Sequence, residues 1–191
     1  MDATQQANRA LARDLADTVG GTPTARRYYL DDARTRHVDI AKFVDRPQPG
    51  VITYATLGLS DTPLPRQVRP PLGVEVLGVC DAKVAFHVVL AAIAGRVKTR
   101  SEHGEPGAVF PNVVPAQMSA TLRHAVLVPQ FLWESAFGTR VVDYKTVAWL
   151  LAVPISDAER DFCAEHGPDA LEARFEQARI DIFNPNRPSA V

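Results

Sequence analysis

The clearest pattern of apolar positions lies in residues 145–159, KTVAWLLAVPISDAE. Its first part alternates with the period of a β-strand, but both sets of alternate positions are apolar, which is typical of a strand buried on both faces. The two predicted faces are Val147, Trp149, Leu151 and Val153 on one side, and Ala148, Leu150 and Ala152 on the other. Pro154 then removes a ladder donor, and Ser156 with Glu159 gives the S-x-x-E pattern of a capping box. The segment therefore predicts an interior strand followed directly by a helix.

Other apolar patterns predict three more helices. Residues 2–19 are predicted to form a peripheral amphipathic helix, because apolar residues recur at every fourth position and two glycines follow. A second helix, apolar nearly all round, is predicted to begin at an N-cap on Asp81 and to run to about Lys98. The capped helix after Ser156 should end near Gly167, and a fourth should follow over about residues 169–178.

Between these helices the pattern predicts clusters of strands. They lie in the segments RRYYLDD, RHVDIAKFVDR, GVITYATLGLSD, VEVLGVC and LRHAVLVPQFLW, in addition to KTVAWLLAVP. Clustered strands, with helices at the start, middle and end of the chain, favour an α+β sandwich over a doubly wound α/β fold. The length and the lack of a linker predict one domain over residues 1–191.

Composition narrows the function classes. The formal net charge of −1 argues against nucleic-acid binding, which needs a concentrated basic face. The start of the chain lacks the basic and apolar regions of a secretory signal, and the most apolar run, VAFHVVLAAIAG, is too short to span a bilayer. We therefore expect a soluble cytoplasmic protein, with Cys80 and Cys163 reduced and no membrane interaction.

Few residues suggest catalysis. The glycines lack phosphate-loop and dinucleotide spacing, and the five histidines lack metal-ligand spacing, so no cofactor or metal is expected. Cys80 is the best candidate nucleophile, because it ends a strand just before a predicted helix N-terminus, where the dipole would lower the thiol pKa. His87 is the nearest histidine along the chain. We favour the alternative, in which Cys80 is a buried structural cysteine and His87 a hydrogen-bonded core residue.

The aromatic segment FLWESAFG, residues 131–138, is a candidate for partner binding. Trp133 and its aromatic neighbours follow a strand-breaking proline, where they could anchor a partner, with Glu134 and Asp143 as a polar rim. The alternative is that these aromatics close one end of the sheet, and burial for packing is the more common role of tryptophan and phenylalanine.

Five blocks of sequence resemble a known family. They are VITYATLGLSD at 51–61, VEVLGVCD at 74–81, LRHAVLVPQFLWE at 122–134, KTVAWLLAVPISDAE at 145–159 and IDIFNPNR at 180–187. In this order they resemble the suppressor of fused domain family, over about residues 35–189. The resemblance implies an α+β fold in which a mixed, largely antiparallel sheet carries helices, with no known catalytic residues or cofactor. The resemblance also implies one of two protein-binding roles. A two-domain animal relative is a regulator that restrains a Hedgehog-pathway transcription factor, and bacterial single-domain members are assigned as immunity proteins of polymorphic toxins.

The leading hypothesis is therefore a protein-binding inhibitor, an immunity protein that masks a toxin domain. Acidic residues help when the masked site is basic. The candidate partner-binding residues are Asp31, Asp32, Asp61, Trp133, Glu134 and Asp143. A cytoplasmic scaffold or regulator and, less favoured, a cysteine-dependent enzyme that uses Cys80 remain the alternatives, and the sequence leaves the oligomeric state open.

Overall fold

The computed structural model describes residues 3–65, 69–100, 102–133 and 136–191. Within them the chain forms four α-helices and an eight-stranded sheet. The helices are α1 (Ala3–Val19), α2 (His87–Arg100), α3 (Asp157–His166) and α4 (Pro168–Ala178). The strands are β1 (Thr24–Tyr29), β2 (His37–Val44), β3 (Val51–Leu57), β4 (Leu72–Asp81), β5 (Val109–Phe110), β6 (His124–Pro129), β7 (Arg140–Val142) and β8 (Lys145–Ile155). A 3₁₀ turn, Leu59–Asp61, follows β3.

Strand β8 lies at the centre of the sheet. The strand order is β1-β2-β3-β4-β8-β6-β5, and β7 pairs with the first residues of β8. β4 and β8 run parallel, and the other pairs described are antiparallel. The predicted α+β fold with a mixed, largely antiparallel sheet is therefore confirmed.

The sheet separates two hydrophobic cores. Helices α1, α3 and α4 pack on one face and α2 packs on the other. β8 contributes to both, because successive side chains of a strand point to opposite faces. Its contributions are Val147, Trp149, Leu151 and Val153 to the first core, and Leu150, Ala152 and half-buried Ala148 to the second. The two-sided strand predicted from the sequence is confirmed.

Helix α3 begins as the capping box predicts. The Ser156 hydroxyl accepts a hydrogen bond from the Glu159 backbone amide at 3.1 Å, and the Glu159 carboxylate accepts one from the Ser156 amide at 2.8 Å. These reciprocal bonds satisfy two of the donors that a helix N-terminus leaves unpaired. Gly167, with φ of 88°, then ends α3, and Pro168 opens α4 at once.

Helix α2 begins later than the sequence predicts. Asp81 is the last residue of β4, and its side chain accepts from the Lys83 amide at 2.9 Å, so it forms a turn instead of an N-cap. Five further residues precede the helix, and the last of them, Phe86, packs against Gly78, where a Cβ would lie 2.4 Å from the ring.

Across the described residues, no helix combines the length and apolarity that crossing a bilayer requires.

Candidate functional site

Asp61, a predicted partner-binding residue, is part of an internal ion-pair cluster. Its Oδ1 accepts a 2.6 Å hydrogen bond from the Nζ of Lys145, which is only 2% exposed. The same ammonium donates to Asn8 Oδ1 at 2.9 Å and to Ser60 Oγ at 2.8 Å, so all three of its hydrogens are used. Asn8 in turn donates to the second oxygen of Asp61. The cluster therefore ties α1 to the start of β8.

Glu75 lies next to this cluster and has no exposed surface. One carboxylate oxygen accepts from the Ser60 hydroxyl at 2.7 Å and from the amides of Gly58 and Ser60 at 2.8 and 3.1 Å. The other accepts from the Thr56 hydroxyl at 2.6 Å and the Leu59 amide at 3.2 Å. Five donors therefore converge on one side chain, which fixes the turn after β3. Its signal in the sequence is a single acid within the apolar run VEVLGVC.

Asp31 shapes the turn between β1 and β2. Its carboxylate accepts from the amides of Thr35 and Arg36 at 2.8 and 3.1 Å, and from the Thr35 hydroxyl. The hydroxyl bond is the main reason that the pKa of Asp31 is lowered. Asp32 follows on the same turn and is exposed. Both predicted residues lie at the surface, and Asp31 has a local structural task.

A polar groove of about 740 Å³ lies beside Asp61 and the turn that Asp31 shapes. Asp61 lines it, and so do Thr35 and Arg36, the residues that Asp31 holds. Its lining also contains another carboxylate and further cations, namely Asp39, Arg9, Arg27 and Lys98. Asp61 therefore lies among cations instead of in an acidic patch, and the role of Asp31, Asp32 and Asp61 in partner binding stays a prediction.

The other predicted residues lie elsewhere. Trp133 is half-buried and stacks edge-on against Phe137, which stacks in the same way against Trp149 of β8; both centroid distances are 5.2 Å. This packing matches the alternative in which the aromatics close the sheet. Asp143 is exposed at the turn between β7 and β8, with φ of 54°. Glu134 lies outside the described residues.

A second groove, which we call the apolar groove, lies beside Phe131. It has a volume of about 540 Å³ and runs between the end of β6, the following loop, α4 and the chain after α4. Its main apolar side chains are Phe131, Leu132, Phe175, Ile180, Ile182 and Phe183. Phe131 is 55% exposed, so the groove opens to solvent with a large aromatic ring at its edge.

The rim of the apolar groove is acidic. Glu172, Glu176 and Asp181 line it, and Arg179 is the cation among the described lining residues. Burial raises the pKa of Glu172, and the nearby carboxylates of Asp169 and Glu176 raise it further. The sequence analysis did not select these residues, because the tail after α4 shows no periodic pattern and acids on a helix usually face solvent.

The structure agrees with the favoured interpretation of Cys80 as a buried cysteine and contradicts the alternative in which its thiol is activated. Its side chain is 1% exposed, and burial raises the pKa of the thiol to about 12. The thiol donates to the Val84 carbonyl oxygen at 3.4 Å, and α2 starts seven positions further on, so the helix dipole does not act on it. His87 packs between the rings of Tyr28 and Tyr54, with centroid distances of 5.4 and 5.5 Å. Burial also lowers the pKa of His87.

We expect Cys80 to be unreactive in the folded protein. At pH 8, a pKa of about 12 in place of 9 lowers the thiolate fraction about a thousandfold. The measurement is the rate of reaction with Ellman's reagent in the Cys163→Ser variant, which leaves Cys80 as the single thiol. The same variant unfolded in guanidinium serves as the control and should react at once. Rapid reaction of the folded variant would show that the thiol is accessible and activated.

His124 also lacks the freedom of a general base. Its Nδ1 accepts from the Asn112 amide at 2.9 Å, which places the ring proton on Nε2, 3.0 Å from Asp157 Oδ1. This hydrogen bond, followed by that from Arg123, lowers the pKa of Asp157 to about 2. Both ring nitrogens are thus engaged. Over the described ranges, no group of three or more histidine, cysteine or acidic side chains is placed to hold a metal ion.

Comparison with known proteins identifies the class. A sequence profile of the suppressor of fused protein (SUFU) family matches residues 34–188. The chain therefore belongs to this family, and the resemblance inferred from the five sequence blocks is confirmed.

Individual relatives cover almost the whole chain. The chain is 34% identical over 189 residues to immunity protein YqcF of Bacillus subtilis (strain 168), covering 97% of this chain and 98% of that protein. A SUFU homologue from Neisseria gonorrhoeae FA 1090 superposes with a TM-score of 0.76 at 18% identity, over 98% of both chains. A chain of the Sufu–Fu complex superposes with a TM-score of 0.69 at 14% identity, over 97% of this chain and 92% of that one. At these identities the two structures show a shared fold.

Proposed function

We propose that this chain is an immunity protein, which binds a toxin domain and neutralises it without catalysing a reaction. The observation that carries the proposal is the 34% identity to immunity protein YqcF, because it extends over 97% of this chain and 98% of that protein. A match of this extent includes both cores and the loops between strands. The protein would act in the cytoplasm of the cell that makes the toxin.

The site geometry supports a binding role. Cys80 was the best candidate nucleophile in the sequence, although a structural role was favoured, and in the fold its thiol is buried with a raised pKa. The surface of the described residues instead has open grooves, among them a polar one of about 740 Å³ and an apolar one of about 540 Å³. Grooves lined by aromatic and charged side chains are suited to recognising a protein. The Sufu–Fu complex supports a protein partner, since it contains a chain of the same fold.

Co-expression tests the proposal directly. We expect this protein to restore growth of a host that expresses the toxin encoded beside it, and a catalytically inactive form of that toxin to bind it with a 1:1 stoichiometry in isothermal titration calorimetry. An unrelated toxin with the same enzymatic activity is the control and should still kill the host. Growth inhibition that persists in the presence of this protein, together with no heat of binding, would contradict the proposed function and leave the regulatory alternative.

A further inference from the structure

We propose that the apolar groove is the docking site for a basic amphipathic segment of the protein partner. This inference rests on the proposed function and names the surface and the chemistry that it recognises. The occupant would place bulky apolar side chains in the groove and lysine or arginine side chains against the rim.

The first argument is the apolar surface itself. Phe131, which is 55% exposed, stands at the edge of a groove whose floor includes half-buried Ile180 and Ile182. An exposed aromatic next to a concave apolar surface is typical of a binding site, because its burial against a partner removes apolar area from water. Aromatic residues in such positions often supply much of the binding energy.

The second argument is the charge of the rim. Glu172 and Glu176 are one helical turn apart on α4, so they repel each other as an i,i+4 pair of like charges. No ion pair to either carboxylate is found among the described residues. Asp181 adds a third carboxylate, and Arg179 offsets only one of the three. A basic segment would relieve this repulsion, whereas an acidic one would increase it.

The third argument is the extent and rigidity of the surface. Asp181 and Phe183 also line a neighbouring cavity of about 580 Å³, so the tail after α4 forms a ridge between two concavities. The ridge is fixed by the Asp81 amide, which donates to the Phe183 carbonyl at 3.0 Å, and by the Ile180 amide, which donates to Phe175 at 3.2 Å. A wide and preorganised surface suits a protein segment better than a small molecule, because little ordering is needed on binding.

Two defined peptides test the groove without the toxin. The probe is an 18-residue helical peptide of leucine and lysine on opposite faces, and its counterpart carries glutamate in place of lysine. We expect the Leu/Lys peptide to bind the full chain, as measured by fluorescence anisotropy, more weakly as salt is added. The Leu/Glu peptide should bind at least about tenfold more weakly. Equal binding of both peptides would overturn the proposal, because the groove would then recognise apolar surface alone. The absence of binding by either peptide would also overturn it.

Matched charge reversals locate the binding. The double variant E172K/E176K should weaken binding of the Leu/Lys peptide about 100-fold, and F131A about tenfold. The control, D14K/D17K, makes the same change in net charge at two exposed positions on α1 and should stay within about threefold of wild type. An equal loss in the control would show non-specific attraction and overturn the proposal. E172K/E176K and F131A should each keep a melting temperature close to that of wild type, which separates loss of binding from loss of fold.

The toxin separates this inference from the proposed function. If wild type protects the host and E172K/E176K does not, the proposed function and the docking site are both supported. If E172K/E176K protects as well as wild type, the protein is an immunity protein but the apolar groove is not its docking site. If wild type itself gives no protection, the proposed function fails, while the peptide measurements still decide the chemistry of the groove. Finding a homodimer that F131A separates into monomers would make a second copy of the chain the occupant and overturn the proposal.

Discussion

Replacing Arg187 by methionine should lower the free energy of unfolding by about 3–5 kcal/mol, because it leaves a buried carboxylate without its cation. The guanidinium of Arg187 donates to both oxygens of Glu159, at 2.7 and 3.1 Å. Arg187 is 3% exposed and Glu159 is fully buried, so water cannot take over either role. The expected measurement is urea unfolding followed by circular dichroism.

The position of Arg187 explains the size of the effect. Besides the ion pair, the guanidinium donates to the Pro154 carbonyl at 2.9 Å and stacks over the Phe175 ring at 5.3 Å. It thereby connects the last segment of the chain to the end of β8, to α3 and to α4. The tail that forms one wall of the apolar groove is anchored by this side chain, so R187M should also weaken binding of the Leu/Lys peptide.

Two further variants separate charge from packing. Arg174→Met removes an arginine that also stacks over an aromatic ring, Phe162 at 5.5 Å, but Arg174 is exposed, so the expected loss is below about 1 kcal/mol. E159Q/R187M removes both charges while glutamine can still cap α3, so it should be more stable than R187M alone. Equal losses in R174M and R187M would show that the ion pair contributes nothing.

The features predicted correctly from the sequence are those with a local signal. The two-sided apolar pattern of β8 needs only the strand period, and the S-x-x-E pattern needs only four residues. Both appear in the structure with the predicted residues, and the strands and helices occur along the chain in the predicted order. The sequence therefore sufficed for the fold class, and the five family blocks added the mixed topology.

Features that depend on distant parts of the chain were missed or wrong. Asp61 was selected for its charge, but its partner Lys145 lies 84 residues away, and periodicity carries no information on such a pair. The disfavoured catalytic interpretation of Cys80 needed a lowered pKa, which depended on α2 beginning at Asp81. The turn that Asp81 forms displaces the helix, and burial then raises the pKa.

The apolar groove could not be predicted for the same reason. Its walls come from residues 128–132, from α4 and from residues 179–183, which meet only in the folded chain. Ile180 and Ile182 belong to the family block IDIFNPNR, and Phe131 belongs to the segment selected for its aromatics. The sequence shows the apolar and acidic residues of the groove, but only the fold shows which of them share a surface.

Glu75 of β4 should be the residue on which the turn after β3 depends most, and Glu75→Gln should cost about 3–5 kcal/mol of the free energy of unfolding. Every partner of the Glu75 carboxylate is a donor. Ser60 Oγ already accepts from Lys145 and Thr56 Oγ1 already accepts from the Val76 amide, so both hydroxyl hydrogens point to Glu75. A carboxylate satisfies this set because it only accepts.

Glutamine has the same shape but replaces one accepting oxygen with an NH₂ group. Whichever way the amide is turned, at least two donors lose their acceptor and face further donors in a site without water-accessible surface. Thermal and urea unfolding should both show the loss. The control is Glu102→Gln, the same chemical change at a residue that is 38% exposed with its carboxylate 3.9 Å from Arg96, where we expect a change below about 0.5 kcal/mol.

A leucine at position 75 distinguishes hydrogen bonding from burial. If the apolar environment of β4 were the main influence, Glu75→Leu would stabilise the protein, because a buried carboxylate would be replaced by an apolar side chain. If the converging donors dominate, as the five hydrogen bonds indicate, Glu75→Leu should be at least as destabilising as Glu75→Gln, since it leaves all five donors unpaired. The turn is packed tightly against β4 at Gly73, where a Cβ would lie 2.3 Å from the Ser60 carbonyl oxygen. The turn therefore has no room to reorganise around a lost acceptor.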